Sequence, residues 1–210
     1  MDLITPKHFS LSDWQFYAPT YFNIYAPDFV SAPSSLRAGG YPAAGLFSKA
    51  WLKESLSGNL KQGKLRTWFK HAPWHDAHLW IYFREQDMLH TEPTLNGYRF
   101  NYALPGMMIA EMSSGGAHRS WAFPPAGPLP DNTWYEWELT FWTWLNLDLI
   151  PYMTVQVKHI VGANEYTDIL LNIPNPLFSD SAHNYIAIAA RCNTTPPSHL
   201  IDDTRIYRPA

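Results

Sequence analysis

Residues Trp134 to Trp142 read WYEWELTFW, and the same alternation of apolar and polar side chains returns in Lys64 to His71 (KLRTWFKH), His78 to Glu85 (HLWIYFRE) and Gly97 to Leu104 (GYRFNYAL). Side chains two apart lie on one face of a strand, so this pattern builds half-buried β-strands; a helix needs its apolar residues about 3.6 apart. Fainter versions run through Met107 to Met112, Tyr152 to Ile160, Tyr166 to Leu171, Tyr185 to Arg191 and Leu200 to Tyr207. The clusters between them, HTEPTLNG, SSGGAH and PPAGPLPDN, are turn-forming and predict loops. Eighteen Pro and eleven Gly spread over the chain forbid long helices. Only Ala50 to Leu60 (AWLKESLSGNL) fits a short one. Roughly nine to fourteen short strands at this spacing predict an all-β fold, a two-sheet antiparallel jelly-roll sandwich.

The chain has 210 residues, and no Ser/Gly repeat or charge run divides it. We therefore expect an N-terminal arm, 1–15, followed by a single sandwich domain, 16–210. Hydrophobic residues make up 46% and aromatic residues 16%, against only 16% charged. Ordinary domains carry about 25% charged residues, so a large core and surplus surface aromatics are both expected. A net charge of −3 offers nothing to a phosphate backbone, which excludes a nucleic-acid partner. The single Cys192 excludes an internal disulfide and reads as a small buried or half-buried thiol, not a nucleophile. The opening MDLITPKHFSLSDW lacks a basic n-region, an apolar h-region and a small-residue cleavage site, so synthesis in a cytoplasm is expected. No apolar run approaches the roughly 18 residues that cross a bilayer, and no membrane insertion is expected.

Splitting each alternating segment by parity gives two lists. The first is apolar: Leu65 and Phe69; Leu79, Ile81 and Phe83; Tyr98, Phe100 and Tyr102; Tyr135, Trp137, Leu139 and Phe141. These form the expected inter-sheet core. The second mixes rings with ions: Arg66, Trp68 and Lys70; Trp80, Tyr82 and Arg84; Arg99 and Asn101; Trp134, Glu136, Glu138, Thr140 and Trp142. Flat apolar rings beside planar hydrogen-bonding groups suit a sugar, whose faces are C–H and whose rim is hydroxyl. Two other readings stay open. Arg66, Arg84 and Arg99 could ladder with Glu136 and Glu138, since such cross-strand pairs are worth about 0.2–1 kcal/mol each. Trp, Tyr and Arg are also the side chains of subunit interfaces.

The succession SSLRAGG (Ser34 to Gly40), GKLRTWF, HLWIYFRE, GYRFNY, TWYEWELTFW and IDDTRIY (Ile201 to Tyr207) resembles the concanavalin A-like lectin/glucanase superfamily, including its laminin-G-like members. The resemblance covers roughly Phe16 to Tyr207 and lies in the order of the motifs. It implies two stacked antiparallel sheets, one concave, with carbohydrate bound in many members on the concave face or its rim loops. It also implies kinship with noncatalytic domains of adhesins, viral fibres and virion surfaces.

Catalytic glucanase members carry an E-x-D-x-x-E strand that places acid and nucleophile about 5–5.5 Å apart. Here Glu136 and Glu138 share a face, but the middle Asp is missing and four residues after Glu136 stands Thr140, which is not an acid. There is no G-x-S-x-G, and Cys192 and the nine His form no nucleophilic constellation. The sequence therefore predicts no catalytic residues, with glycoside hydrolysis or lysis through Glu136 and Glu138 as the alternative. His71, His75 and His78 cluster as in a transition-metal site, although solvent-exposed loop imidazoles explain them as well. By the resemblance, Asp202 and Asp203 fix the chain end through hydrogen bonds, or hold a structural Ca²⁺; no other cofactor is implied.

These readings combine into a noncatalytic virion surface protein, a capsid decoration or tail-associated component of a bacteriophage, made in the host cytoplasm. Its partners are other virion proteins or itself as a homo-oligomer, with a cell-surface glycan as a further ligand. A free carbohydrate-binding lectin domain is the competing reading. Self-association is expected because monomers rarely expose large apolar patches.

Overall fold

The computed structural model describes residues 2–3, 14–17, 22–25, 30, 35–38, 47–52, 62–71, 78–85, 96–103, 106–114, 116–178, 185–191 and 199–208. Among them the chain forms fifteen strands: β1 (Asp2–Leu3), β2 (Trp14–Tyr17), β3 (Phe22–Tyr25), β4 (Ser35–Ala38), β5 (Phe47–Leu52), β6 (Gly63–His71), β7 (His78–Glu85), β8 (Gly97–Ala103), β9 (Gly106–Ser113), β10 (Gly116–Phe123), β11 (Tyr135–Leu145), β12 (Pro151–Val161), β13 (Asn164–Pro174), β14 (Tyr185–Arg191) and β15 (His199–Arg208). Every pairing is antiparallel. One sheet runs β13-β12-β11-β6-β15-β4-β3, with β1 also on β15; the other runs β10-β9-β8-β7-β14-β5-β2. The expected all-β, two-sheet architecture is what the chain adopts. Within 1–15, Asp2–Leu3 pairs with β15, while Trp14 and Gln15 pair with β5.

The dry layer lies between the sheets. All twelve residues of the apolar list are buried in one cluster, where Val155, Val157, Ile169, Ile188 and Ile206 join them. Trp137 sits near its centre, with ring centroids 5.3 Å from Phe100 and 5.2 Å from Tyr102. Burying such a side chain stabilises the fold by about 1.5–3 kcal/mol, so strand parity is fixed by the core.

Three expectations need correction. Ala50 to Leu52 belongs to β5, where Ala50 pairs with both Phe16 and Ile188; ladder pairing on both sides overrides the helical spacing of its apolar residues, and 53–60 lies outside the described residues. Strand β10 was not anticipated, because its burial is mostly low and its sequence, GAHRSWAF, alternates weakly. The four central segments are not one set of neighbours. β6 pairs with β11 in the eight-stranded sheet, β7 pairs with β8 in the seven-stranded sheet, and the two pairs face each other across the core. The ring-and-ion list is therefore split between opposite outer surfaces.

Candidate functional site

On the outer face of the eight-stranded sheet, register places Trp68 beside Glu136 and Arg66 beside Glu138, with Lys158 next in the second row. The charges satisfy one another. Arg66 donates to Glu136 at 2.6 Å and lies 3.5 Å from Glu138, while Lys64 reaches Glu138 at 3.0 Å. Lys158 pairs with Glu165 at 2.7 Å. The cross-strand ladder that the sequence left open is formed by Arg66, Glu136 and Glu138. Burial pushes the Glu136 carboxyl above its ordinary value, against the pull of the Arg66 guanidinium.

Further along β11 the same face changes character. Trp142 pairs with Thr154 in register, and Trp144 pairs with Tyr152. The Trp144 and Tyr152 rings stack at 4.9 Å with 20° between planes. The indole N–H of Trp144 donates to Thr154 Oγ1 at 2.9 Å, and that hydroxyl donates to Asn172 Oδ1 at 2.7 Å. This chain of bonds fixes the indole plane, which is 40% exposed. Thr140, Gln156 and Asn172 lie beside it with side-chain donors and acceptors at the surface. The arrangement is a fixed aromatic platform bordered by amides and hydroxyls.

The other half of the list does not belong to this face. Trp80 and Tyr82 are buried in a second cluster with Ala110, Met112 and Ala187, on the outer side of the seven-stranded sheet. Arg99 lies over the Trp80 ring at 4.8 Å. Arg84 is fully buried, with φ 53°, and its Nε donates to the Phe178 carbonyl. Its backbone conformation accompanies a register shift opposite Tyr185 and Ala187. These side chains are packed, because alternation reports that a strand has two faces and not whether the second is wet.

Two buried ionic clusters escaped the sequence reading. Glu111 lies on the core side of β9, where Arg119 grips it with two hydrogen bonds of 2.8 Å and the Tyr98 hydroxyl donates at 2.5 Å. Burial alone would raise this carboxyl; Arg119, Tyr98 and the Leu177 N–H outweigh it and hold it below the usual range. Arg119 also donates to the carbonyls of Pro174 and Asn175, so the cluster ties the β9–β10 hairpin to the exit from β13. An acid in the core register of Met107 and Ile109 was the available signal. Likewise His159, in core register on β12, meets Asp168 at 2.6 Å, with both side chains fully buried. Asp168 accepts the Ala126 N–H at 2.8 Å, and Tyr166 stacks on His159 at 4.8 Å, which together hold the Pro-rich strap 124–130 against the sheets.

Asp202 and Asp203 fit the hydrogen-bonded role. Asp202 accepts the Val30 N–H and the Asp203 N–H, each at 2.7 Å, and Asp203 takes two bonds from Arg205. Among the described residues no three His, Cys, Asp or Glu side chains converge as metal ligands. His75 and Cys192 lie outside the described residues, as do the side chains of His71 and His78.

No family model and no curated protein matches the chain. Solved structures do. The exoplasmic/lumenal domain of VIP36, bound to Ca²⁺ and Man3GlcNAc, matches with a TM-score of 0.59 at 10% identity, over 96% of this chain and 85% of that one. A legume lectin-like domain from Entamoeba histolytica gives 0.56 at 9%, over 91% of each chain. The PL-14 alginate lyase of Aplysia kurodai gives 0.57 at 8%, over 92% and 89%. At such identities the likeness is one of fold, and the chain has the concanavalin A-like jelly-roll fold anticipated from its motif order.

Proposed function

We propose that this chain is a noncatalytic, lectin-like glycan-binding module carried on a virion surface, and that its recognition face lies around Trp142, Trp144, Tyr152, Gln156 and Asn172. The observation that carries the reading is the Trp144 indole, held flat by its bonds through Thr154 to Asn172 while 40% exposed. A pyranose C–H face packs on such a ring, and neighbouring amides bind its hydroxyls with both donors and acceptors. An immobilised panel of oligosaccharides, including mannose-rich ones, tests this. Wild type should bind a subset that Trp142→Ala and Trp144→Ala lose by at least tenfold, about 1.4 kcal/mol. Equal binding by all three proteins, or by none, contradicts it.

Against catalysis stands the pairing of Glu136 and Glu138. Arg66 and Lys64 neutralise both, whereas a glycosidase needs one carboxyl protonated and the other free to attack or to activate water. The elevated pKa of Glu136 is the one feature that favours a hydrolase or lyase of this fold. Unchanged turnover of β-glucans and alginates in Glu136→Gln, or none in wild type, removes that alternative.

The virion setting and self-association are supported by a low charged fraction and by apolar side chains crowded at one end of the sandwich. The host cytoplasm is then the site of synthesis. Detection of the chain in purified particles, with capsid, portal and tail genes beside its own, would bear this out; its absence from particles would exclude it.

A further inference from the structure

The Thr154 hydroxyl fixes more than the indole. An indole N–H can only donate, so this hydroxyl accepts from Trp144 and directs its own hydrogen to Asn172 Oδ1. The bond points that oxygen at Thr154, which is only 4% exposed. The NH₂ group is then the end of the Asn172 amide that remains for a ligand, as a donor.

Register carries the same face on to the edge strand β13. Trp144 pairs with Tyr152, Thr154 with Asn172 and Gln156 with Leu170, so Trp144, Thr154 and Leu170 lie on one diagonal across three strands. Asn172 and Gln156 flank that diagonal on opposite sides, as diagonal neighbours about 7–8 Å apart. At its end Leu170 is 64% exposed. A group leaving a sugar stacked on Trp144 along this line passes between two amides and meets an aliphatic side chain.

We propose that the sugar bound by this face carries a 2-acetamido group, its carbonyl oxygen on Asn172 Nδ2, its N–H on Gln156 Oε1 and its methyl on Leu170. This rests on the glycan reading above and names the class of sugar. A trans amide has its carbonyl oxygen and N–H on opposite edges and its methyl at the end away from the sugar ring. With a hydrogen bond of about 2.9 Å on each edge it spans roughly 8 Å, which matches the spacing of the flanking amides. A 2-hydroxyl is too short to bridge them and leaves Leu170 uncovered. Burial of the methyl alone favours the acetylated sugar about fourfold, before the second hydrogen bond is counted.

Matched glycans on one linker test this: chitotriose against cellotriose, which share a β-1,4 skeleton and differ at C2, and N-acetylgalactosamine against galactose. Wild type should bind the acetylated member of at least one pair about tenfold tighter. Leu170→Ser should cut that preference to below about threefold, and Leu170→Met, which keeps an apolar cover, should retain it. Asn172→Asp keeps an oxygen to accept from Thr154 and removes the donor, so it too should lose the preference. Both positions are exposed, and thermal melts confirm that each variant is folded. Equal binding of the two members of each pair by wild type would overturn the proposal, as would an undiminished preference in Leu170→Ser and Asn172→Asp. The glycan reading survives that result if binding of other sugars is lost in Trp144→Ala. Binding of no sugar, or binding that Trp144→Ala leaves intact, would remove that reading and the acetamido assignment with it.

Discussion

Arg119 holds Glu111 by two hydrogen bonds of 2.8 Å, on a carboxylate that has no solvent contact of its own. Removing the cation strands a buried charge, which typically costs about 3–5 kcal/mol. Arg119→Met should therefore lower stability by about that amount in chemical denaturation. A loss below about 1 kcal/mol would mean that Tyr98 and Leu177 suffice for the carboxylate.

The same pair sets an acid dependence. Because the folded Glu111 carboxyl lies below its ordinary value of 4.5, its contribution is complete above that value and is lost as pH falls through the folded one. Glu136 is shifted upward and works in the opposite sense, so the comparison belongs in a Glu136→Gln background. There, stability should fall as pH drops below about 4.5, and Arg119→Met should flatten that slope. Parallel pH profiles would contradict the assignment.

Arg66 and Lys64 should not be equivalent. Arg66 neutralises the buried Glu136, and Arg66→Met should cost about 2 kcal/mol; Lys64 serves the more accessible Glu138, and Lys64→Met should cost under about 1 kcal/mol. Equal losses in urea unfolding would show that burial of Glu136 is not what matters.

Gly127 is a steric requirement of the strap. A Cβ there would lie 2.4 Å from the Tyr166 ring, which is itself pinned on His159. Gly127→Ala should destabilise by about 1–3 kcal/mol. In a Tyr166→Ala background the same change should cost far less, and an unchanged penalty would place the strain elsewhere.

The parts of this fold that the sequence reveals are those governed by parity. Leu65, Leu79, Phe100 and Trp137 are buried where alternation put them, because a slip of one residue would turn a whole apolar set to water. Which strands share a sheet is decided by long-range pairing, which leaves no local trace, so Trp80 and Glu138 were placed on one surface and lie on opposite sides. Parity is equally silent on whether a second face is covered; Tyr82 and Arg84 look like surface residues in the sequence and are packed. Arg66, Glu136, Glu138 and Trp142 were legible as one face. The platform's most exposed ring, Trp144, lies two residues past the alternating segment Trp134 to Trp142, because the strand runs on to Leu145.

The most direct test of the recognition face is to follow indole N–H signals in ¹⁵N–¹H spectra while titrating the best-bound oligosaccharide. The signals of Trp142 and Trp144 should move and saturate together, while those of the buried Trp80 and Trp137 stay in place. Movement of Trp80 with Trp142 and Trp144 unmoved would put the sugar on the opposite sheet and contradict the account.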